Sequence, residues 1–390
     1  LATLEAPSPA GRAPAAREAP PAPPAPAPPA AEQAAAQPTV QTPPGAAGAG
    51  GPEGALPVYG NISALSKIFN PDIAAIGNFI GATGTNEVEN RPALSMDEAE
   101  FSFQAIVDPF GRADFFVSAG PEEIELEEGY LTLTALPGGL LAKVGKMKAQ
   151  FGRTNTLHPH QLPFIDQPLM LQNVLGSEEG LNDSGVSVSK LLLNPWFFLE
   201  ATGEVYKGDN ATFRSYTRSD VTWLGRLRGY RDLTESTNLD LGTSIAFGRN
   251  ELGDNSRTRL VGVDATLRYR PLRRAIYKRL LARTEFVWNR ASLTPDDGAE
   301  LATTAFGMYA GGEYKFARRW IAGARYDYAE RVFDPSLKDK AASALLTFWP
   351  SEFSQVRGQY RRVKYAEGHT SNEVLFQFLF SIGAHGAHIF

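Results

Sequence analysis

Two imidazoles one residue apart, His158 and His160, with the carboxylate of Asp166 shortly after, are the nearest this sequence comes to a metal-ligand pattern. A structural zinc site needs four protein ligands and a catalytic one three plus water. Pro159 between the imidazoles points to a loop, so the pair is a weak candidate, and no metal or other cofactor is expected. His385 and His388 form a second loose pair. There is no Cys among the 390 residues, which excludes thiolate metal sites, iron–sulfur clusters, a disulfide framework and a Cys nucleophile. No Gly-x-Ser-x-Gly elbow, Gly-rich phosphate loop after a strand or His-Glu-x-x-His is present. His158, His160, Asp166 and Ser177 can be drawn together as a rim hydrolase site on paper, but their spacing does not require it. The expected class is not an enzyme.

The other chemistry is charge laid out by strand period. Lys146, Lys148, Arg226, Arg228, Arg268, Arg283, Arg325, Arg357 and Arg361 fall on polar faces of alternating segments, as do Glu100, Glu200, Glu204, Asp240, Asp264, Glu285 and Asp327. Rings of Arg and Lys favour anions and rings of acid favour cations. Nine basic against seven acidic groups is a mild anion tilt, and many will pair across neighbouring strands. Net charge is -5, which excludes a globally basic nucleic-acid binder. The acidic run 122–128 is either a solvated rim or a place for divalent cations shared with lipopolysaccharide.

The elements that must position these groups are strands. In 303–316, Thr304, Phe306, Met308, Ala310, Gly312, Tyr314 and Phe316 share one face; Glu313 and Lys315 lie on the other. Near the end Val374, Phe376, Phe378, Phe380 and Ile382 alternate with Glu373, Gln377 and Ser381. Successive side chains of a strand point to opposite faces. Sixteen such stretches run from about residue 73 to 383, near 73–84, 97–108, 112–119, 124–135, 139–152, 181–192, 196–207, 219–230, 238–249, 257–270, 275–291, 302–316, 320–332, 339–349, 354–366 and 372–383. A tilted crossing of a bilayer takes about 9–11 residues. No stretch is apolar for 18 residues running, so a membrane-spanning helix is not expected.

Connections alternate between tight turns, such as 108–111 and 349–351, and longer polar loops, such as 208–219 and 332–340. Aromatic residues gather near strand ends: Trp196, Trp223, Trp288, Trp320, Trp349, Tyr326 and Tyr328. Short turns at one rim, long loops at the other and aromatic girdles describe an outer-membrane barrel. The fold class predicted is all-β: a transmembrane, antiparallel, up-and-down β-barrel of about sixteen strands (range about 12–18). Such a barrel is wide enough to hold water.

Before the barrel, residues 1–53 hold 14 of the 28 prolines and read as a disordered Pro/Ala-rich tether, placed in the periplasm. Residues 54–71 read as a short amphipathic helix or linker, with Ala64, Leu65, Ile68 and Phe69 at helical spacing before Pro71. Any export signal is expected to have been removed already. The barrel spans 72–390. Its longest loop, 154–180, is too apolar for disorder and is expected to fold inward and narrow the pore. His158, His160, Phe164 and Asp166 belong to it, and Lys146, Lys148 and Arg153 stand beside the constriction as its best electrostatic filter. Arg226, Arg228, Arg325 and Arg357 complete the selectivity candidates.

Lys143-Val144-Gly145-Lys146-Met147-Lys148, Phe151-Gly152-Arg153, Asp166-Gln167-Pro168 and the re-entry at Glu179 to Val186 resemble the phosphate-selective porin O and P family. That likeness covers about fifty residues. From Asn70-Pro71-Asp72-Ile73 to Ala384-His385-Gly386-Ala387-His388 the chain also resembles Gram-negative outer-membrane proteins often labelled zinc-regulated TonB-dependent receptors. Receptors of that class close about 22 strands around a plug, and the Pro/Ala coil before Ile73 does not provide one. The terminal Phe390 resembles the insertion signal that barrel-assembly machinery reads.

The expected function is therefore a porin-like channel for passive diffusion of small hydrophilic solutes or ions. Its partners would be outer-membrane lipid, lipopolysaccharide and the insertion machinery, with no nucleic acid; a homotrimer is implied by the porin resemblance. The alternative is a plug-less uptake receptor or assembly component that engages a periplasmic partner.

Overall fold

The computed structural model describes residues 71–89, 91–121, 123–252, 256–293 and 301–383. The expected tether 1–53, all but the last residue of the expected helix 54–71, His385, His388 and Phe390 lie outside the described residues.

Sixteen strands follow one another: β1 (Asp72–Thr85), β2 (Leu94–Asp108), β3 (Gly111–Ala119), β4 (Ile124–Leu136), β5 (Leu140–Lys148), β6 (Asn182–Leu191), β7 (Phe198–Tyr206), β8 (Thr222–Thr234), β9 (Thr237–Arg249), β10 (Arg257–Tyr269), β11 (Arg279–Leu293), β12 (Leu301–Ala317), β13 (Trp320–Glu330), β14 (Lys338–Ser351), β15 (Ser354–Lys364) and β16 (Thr370–Gly383). Each pairs antiparallel with its chain neighbours, and β1 pairs with β16 from Ala74↔Gly383 to Thr85↔Asn372, closing the barrel. Closure leaves no strand edge unpaired, the condition for a sheet in hydrocarbon.

The distribution of side chains is the reverse of a soluble sheet's. On β9 and β10, Leu241, Ile245, Phe247 and Val263 are exposed, whereas Asp240, Ser244, Asp264 and Arg268 are buried. The same inversion runs through β15 and β16, where Phe376, Phe378 and Phe380 face out and Arg357, Gln359, Arg361, Glu373 and Gln377 face in. An apolar outer band around a polar interior is the signature of a membrane barrel. No helix among the described residues is long and apolar enough to cross a membrane.

The strand register departs from the sequence reading where the tertiary structure intervenes. β5 stops at Lys148 rather than running to 152: after a last rung from the Ala149 N–H to the Leu181 carbonyl at 2.8 Å, the chain turns and the Phe151 N–H bonds back to the Ala149 carbonyl at 2.7 Å. β11 begins at Arg279 rather than 275, since Pro271 opens a run of turns in which Arg274 and Tyr277 close successive hydrogen bonds. Trp349, expected in an aromatic girdle, is buried, and its N–H donates to the Arg319 carbonyl.

Candidate functional site

The site grows from the connection between β5 and β6, residues 149–181. One buried amide ties its base. Asn155 Nδ2 donates to the carbonyls of Ala149 (2.8 Å) and Leu181 (3.0 Å), and its Oδ1 accepts from the Leu181 N–H (2.7 Å). Helix α1 (Leu169–Leu175) starts after Pro168 and ends at Gly176, whose φ of 89 takes the left-handed conformation that glycine tolerates. Leu169, Met170, Leu171, Val174 and Leu175 are all buried, and α1 packs on β11 to β14. Burying side chains of this size contributes about 1.5–3 kcal/mol each, enough to offset the ordering of the segment. Glycines in the wall make room: a Cβ at Gly307 would stand 2.7 Å from Val174 and 2.8 Å from Met170, and one at Gly262 would stand 2.9 Å from the Phe151 ring.

Polar anchors hold the segment against inward faces on several sides of the barrel. Gly152 N–H donates to Ser244 Oγ on β9, and Thr154 N–H donates to Glu285 on β11 at 2.6 Å. Asn289 Nδ2, also on β11, donates to the Val174 carbonyl at 2.7 Å.

The strongest anchor is Asp166. Arg325 Nη2 donates to its carboxylate at 2.7 Å and Arg325 Nη1 to its carbonyl at 2.8 Å; Arg361 Nε lies 3.0 Å from the same carboxylate. Gln359 donates to it from Nε2, and Gln359 Oε1 accepts the Ile165 N–H at 2.8 Å. The Arg325 guanidinium also lies 4.7 Å over the Phe164 ring, and Arg357 Nη1 donates to the Leu162 carbonyl at 3.0 Å. Burial alone would push the Asp166 carboxyl up, but the Arg325 and Arg361 charges and the Gln359 hydrogen bond hold it below the usual carboxylate range. Arg325 and Arg357, read from sequence as selectivity residues, thus divide their donors between the segment 162–167 and the wall residues Asp327, Thr347 and Gln377.

Further round the wall, on β2 and β4, the imidazoles meet acids that the sequence had not joined to them. Glu98 and Glu100 alternate onto the inward face of β2. On β4 the pairing with β3 skips Glu127, passing from Phe116↔Glu128 to Val117↔Leu126. A bulge of this kind re-aims side chains, and here Glu127 and Glu128 both reach His158. His158 donates from Nδ1 to Glu127 at 2.5 Å and from Nε2 to Glu128 at 2.9 Å, with Glu100 3.1 Å from Nδ1. His160 Nδ1 lies 3.3 Å from Glu100, and the two imidazoles stack with centroids 5.7 Å apart. Burial would lower the His158 pKa, but the Glu100 charge and the hydrogen bonds to Glu127 and Glu128 hold it well above the usual imidazole range. The Glu-x-Glu of β2 and the doublet in the acidic run were the visible signals. Neither marks a partner 30 or more residues away. The run is therefore not merely a solvated rim.

The filter expected at Lys146 and Lys148 needs correction at Lys146. Val144 and Lys146 share one face of β5, paired with Leu131 and Gly129; Lys143 and Met147 share the inward one. Lys146 Nζ reaches up to Glu125 at 2.6 Å and to the Leu126 carbonyl at 2.8 Å. Lys148 has the Lys146 parity and lies buried at the end of the strand. Two lysines reach the interior: Lys143, whose ammonium sits 4.3 Å over the Tyr130 ring, and Lys148, which lines the same space beside Glu128, Met147 and Gln150. Arg153 does reach the interior. Burial and the neighbouring charges of Arg283, Arg268 and Arg228 lower its pKa to about 10. Arg228 pairs with Asp240 at 2.6 Å, and Arg268 lies 3.5 Å from the same carboxylate. Arg226 is neutralised by Asp264 at 2.9 Å. A space between the segment and the wall is lined by Thr154, Leu162 and Phe164 on one side and by Arg283, Tyr309 and Glu313 on the other. Asp166 and the two imidazoles occupy separate ion-pair groups, so the paper hydrolase site is not assembled.

A closed sixteen-stranded antiparallel barrel with an apolar exterior, a charged interior and a long segment crossing it belongs to the outer-membrane barrel class of folds. No family model matches the sequence. The chain belongs to the family of an uncharacterized protein of Aquifex aeolicus (strain VF5), 30% identical over 363 residues, covering 83% of this chain and 76% of that protein. The fold is shared with OmpF of Salmonella typhi, solved in complex with daunomycin (TM-score 0.54, 10% identity, 80% of this chain and 97% of that one). It is also shared with the outer-membrane channel DcaP of Acinetobacter baumannii (TM-score 0.53, 12%, 80% and 96%). OmpT, an outer-membrane protein of Vibrio cholerae, aligns similarly (TM-score 0.53, 11%, 80% and 97%).

Proposed function

We propose that this protein is an outer-membrane diffusion channel for small hydrophilic solutes, narrowed by residues 149–181 and mildly favouring anions. The observation that carries the reading is the pair Arg153 and Arg283. Among the described residues neither guanidinium has a carboxylate within ion-pair distance, and Arg153 lies among the charges of Arg283, Arg268 and Arg228. A positive excess beside a narrow aqueous path attracts anions and delays cations. The DcaP fold-mate is itself described as a channel, and the porin O/P likeness of residues 143–186 points the same way. The reading is of a conduit, with no catalytic role.

Purified protein in planar bilayers is expected to give stable open steps, with a reversal potential in a KCl gradient on the chloride side. Absence of steps from folded protein sinks the channel reading; a potassium-side potential sinks the anion preference. A homotrimer, the form in which one Vibrio cholerae OmpT structure was solved, and retained outer-membrane lipid are part of the same proposal. Native mass spectrometry is expected to show both, and a lipid-free monomer from gentle detergent would count against them.

A further inference from the structure

We infer that Glu98, Glu100, His160, Glu127 and His158 form a binding site for a divalent first-row transition metal, an ion that would fasten the 149–181 segment to the barrel wall. Two overlapping groups present donor atoms within 4.8 Å of one another: Glu98, Glu100 and His160, and Glu100, Glu127 and His158. Glu100 belongs to both, so its carboxylate stands between two candidate ion positions. A tetrahedral ion with bonds of roughly 2.0–2.1 Å spaces its ligand atoms about 3.3 Å apart. Glu100 lies 3.3 Å from His160 Nδ1, close to that spacing, whereas an ion at the second position would have to displace the Nδ1 proton of His158 and push Glu127 back from its 2.5 Å contact.

An ion-pair network alone leaves part of the cluster unexplained. Both Glu98 oxygens are buried and accept no hydrogen bond, and the residue is only 7% exposed. Glu98 faces into the cluster, where its donor atoms lie within reach of Glu100 and His160. Lys143 and Lys148 stand nearby, yet among the described residues neither ammonium forms an ion pair with these acids. Buried charged carboxylates are paired or coordinate metals, and among the described residues no Lys, Arg or His forms an ion pair with Glu98. A set of imidazoles and carboxylates without thiolate suits first-row divalent ions, whereas calcium takes six to eight oxygens. Strand alternation supplies Glu98 and Glu100, the β4 bulge supplies Glu127, and the His-x-His of the segment supplies the imidazoles. The cluster is thus built from three separate parts of the chain.

The test uses the full chain folded in detergent, stripped with EDTA, desalted and equilibrated with Zn2+, with Ca2+ and Mg2+ as parallel arms. Metal retained after desalting is measured by mass spectrometry, and folding is checked by heat-modifiable mobility. Wild type is expected to retain one to two Zn2+ per chain and neither Ca2+ nor Mg2+. Glu98→Gln, nearly isosteric, and His160→Ala are each expected to weaken Zn2+ binding by about tenfold or more. His369→Ala, which removes an exposed imidazole paired with Glu87, should leave it unchanged. Folded wild type that retains no Zn2+ overturns the assignment, as does binding unaffected by Glu98→Gln or lost in His369→Ala. Should His160→Ala not fold, Glu98→Gln decides. The site stands or falls independently of whether the barrel conducts.

Discussion

Replacing Asp166 with Ala is expected to release the interior segment and raise single-channel conductance several-fold. Among the described residues the Asp166 carboxylate is the acid that pairs with both Arg325 and Arg361, and it also takes the Gln359 amide. Removing one partner of a buried ion pair typically costs about 3–5 kcal/mol, because the remaining charge is left buried and uncompensated. Here two guanidiniums would be left, each also bonded to acids of the wall or rim: Arg325 to Asp327, and Arg361 to Glu89. Those bonds keep the arginines in place, so the cost falls on the segment rather than on the barrel. Heat-modifiable mobility should therefore be retained while conductance rises and the segment becomes open to trypsin. The same anchor fixes a pH dependence. The Asp166 pKa is depressed in the folded state, so its contribution is fully present above the unfolded value of about 3.9 and is lost as pH falls through the depressed one. Wild-type conductance should be flat from neutrality to about pH 4 and increase only below. An unchanged conductance in Asp166→Ala, or opening near pH 6, would show that the clasp is elsewhere.

Reversing Arg153 and Arg283 together to Glu should invert the ion preference, whereas Lys146→Glu should leave it alone. At 4 Å a unit charge acts with about 1 kcal/mol in water and about 4 kcal/mol at an effective dielectric constant of 20. A change of about 1.4 kcal/mol is tenfold in an equilibrium constant. Exchanging two cations for two anions beside the narrow path is therefore expected to change the chloride-to-potassium permeability ratio by about tenfold or more. Lys146 pairs with Glu125 at the rim and faces away from the interior. A Lys146→Glu shift as large as that of the double variant would return the filter to β5 and remove it from Arg153 and Arg283. The Arg153 pKa of about 10 adds a direction: the anion preference should weaken as pH rises past that value.

Period two was legible residue by residue. The segment 303–316 announces its two faces without any tertiary partner, and β12 (Leu301–Ala317) presents those same faces. The strand count followed from repeating that pattern with alternating turn and loop lengths, which are local properties of the backbone; closure followed from the need to pair every backbone group in hydrocarbon. The long apolar loop was legible as well, since its Leu, Phe and Met content cannot remain solvated.

What the local pattern leaves open is which face turns inward when both carry polar groups. Lys143-Val144-Gly145-Lys146-Met147-Lys148 reads equally well in either phase, and only pairing with β4 and β6 puts Lys143 and Met147 inside. Partners across the barrel were equally invisible. Asp166 meets Arg325 and Arg361, and His158 meets Glu100, Glu127 and Glu128, because barrel closure and a one-residue bulge bring distant segments together. Strand positions and their alternation could be read from the chain alone, since side-chain period is short-range, and the sealed sheet followed because hydrocarbon leaves no backbone group unpaired. Which charges clasp the interior segment and which are left to face a solute emerges only in the folded barrel, since that depends on how closed walls and a crossing chain share a limited set of carboxylates.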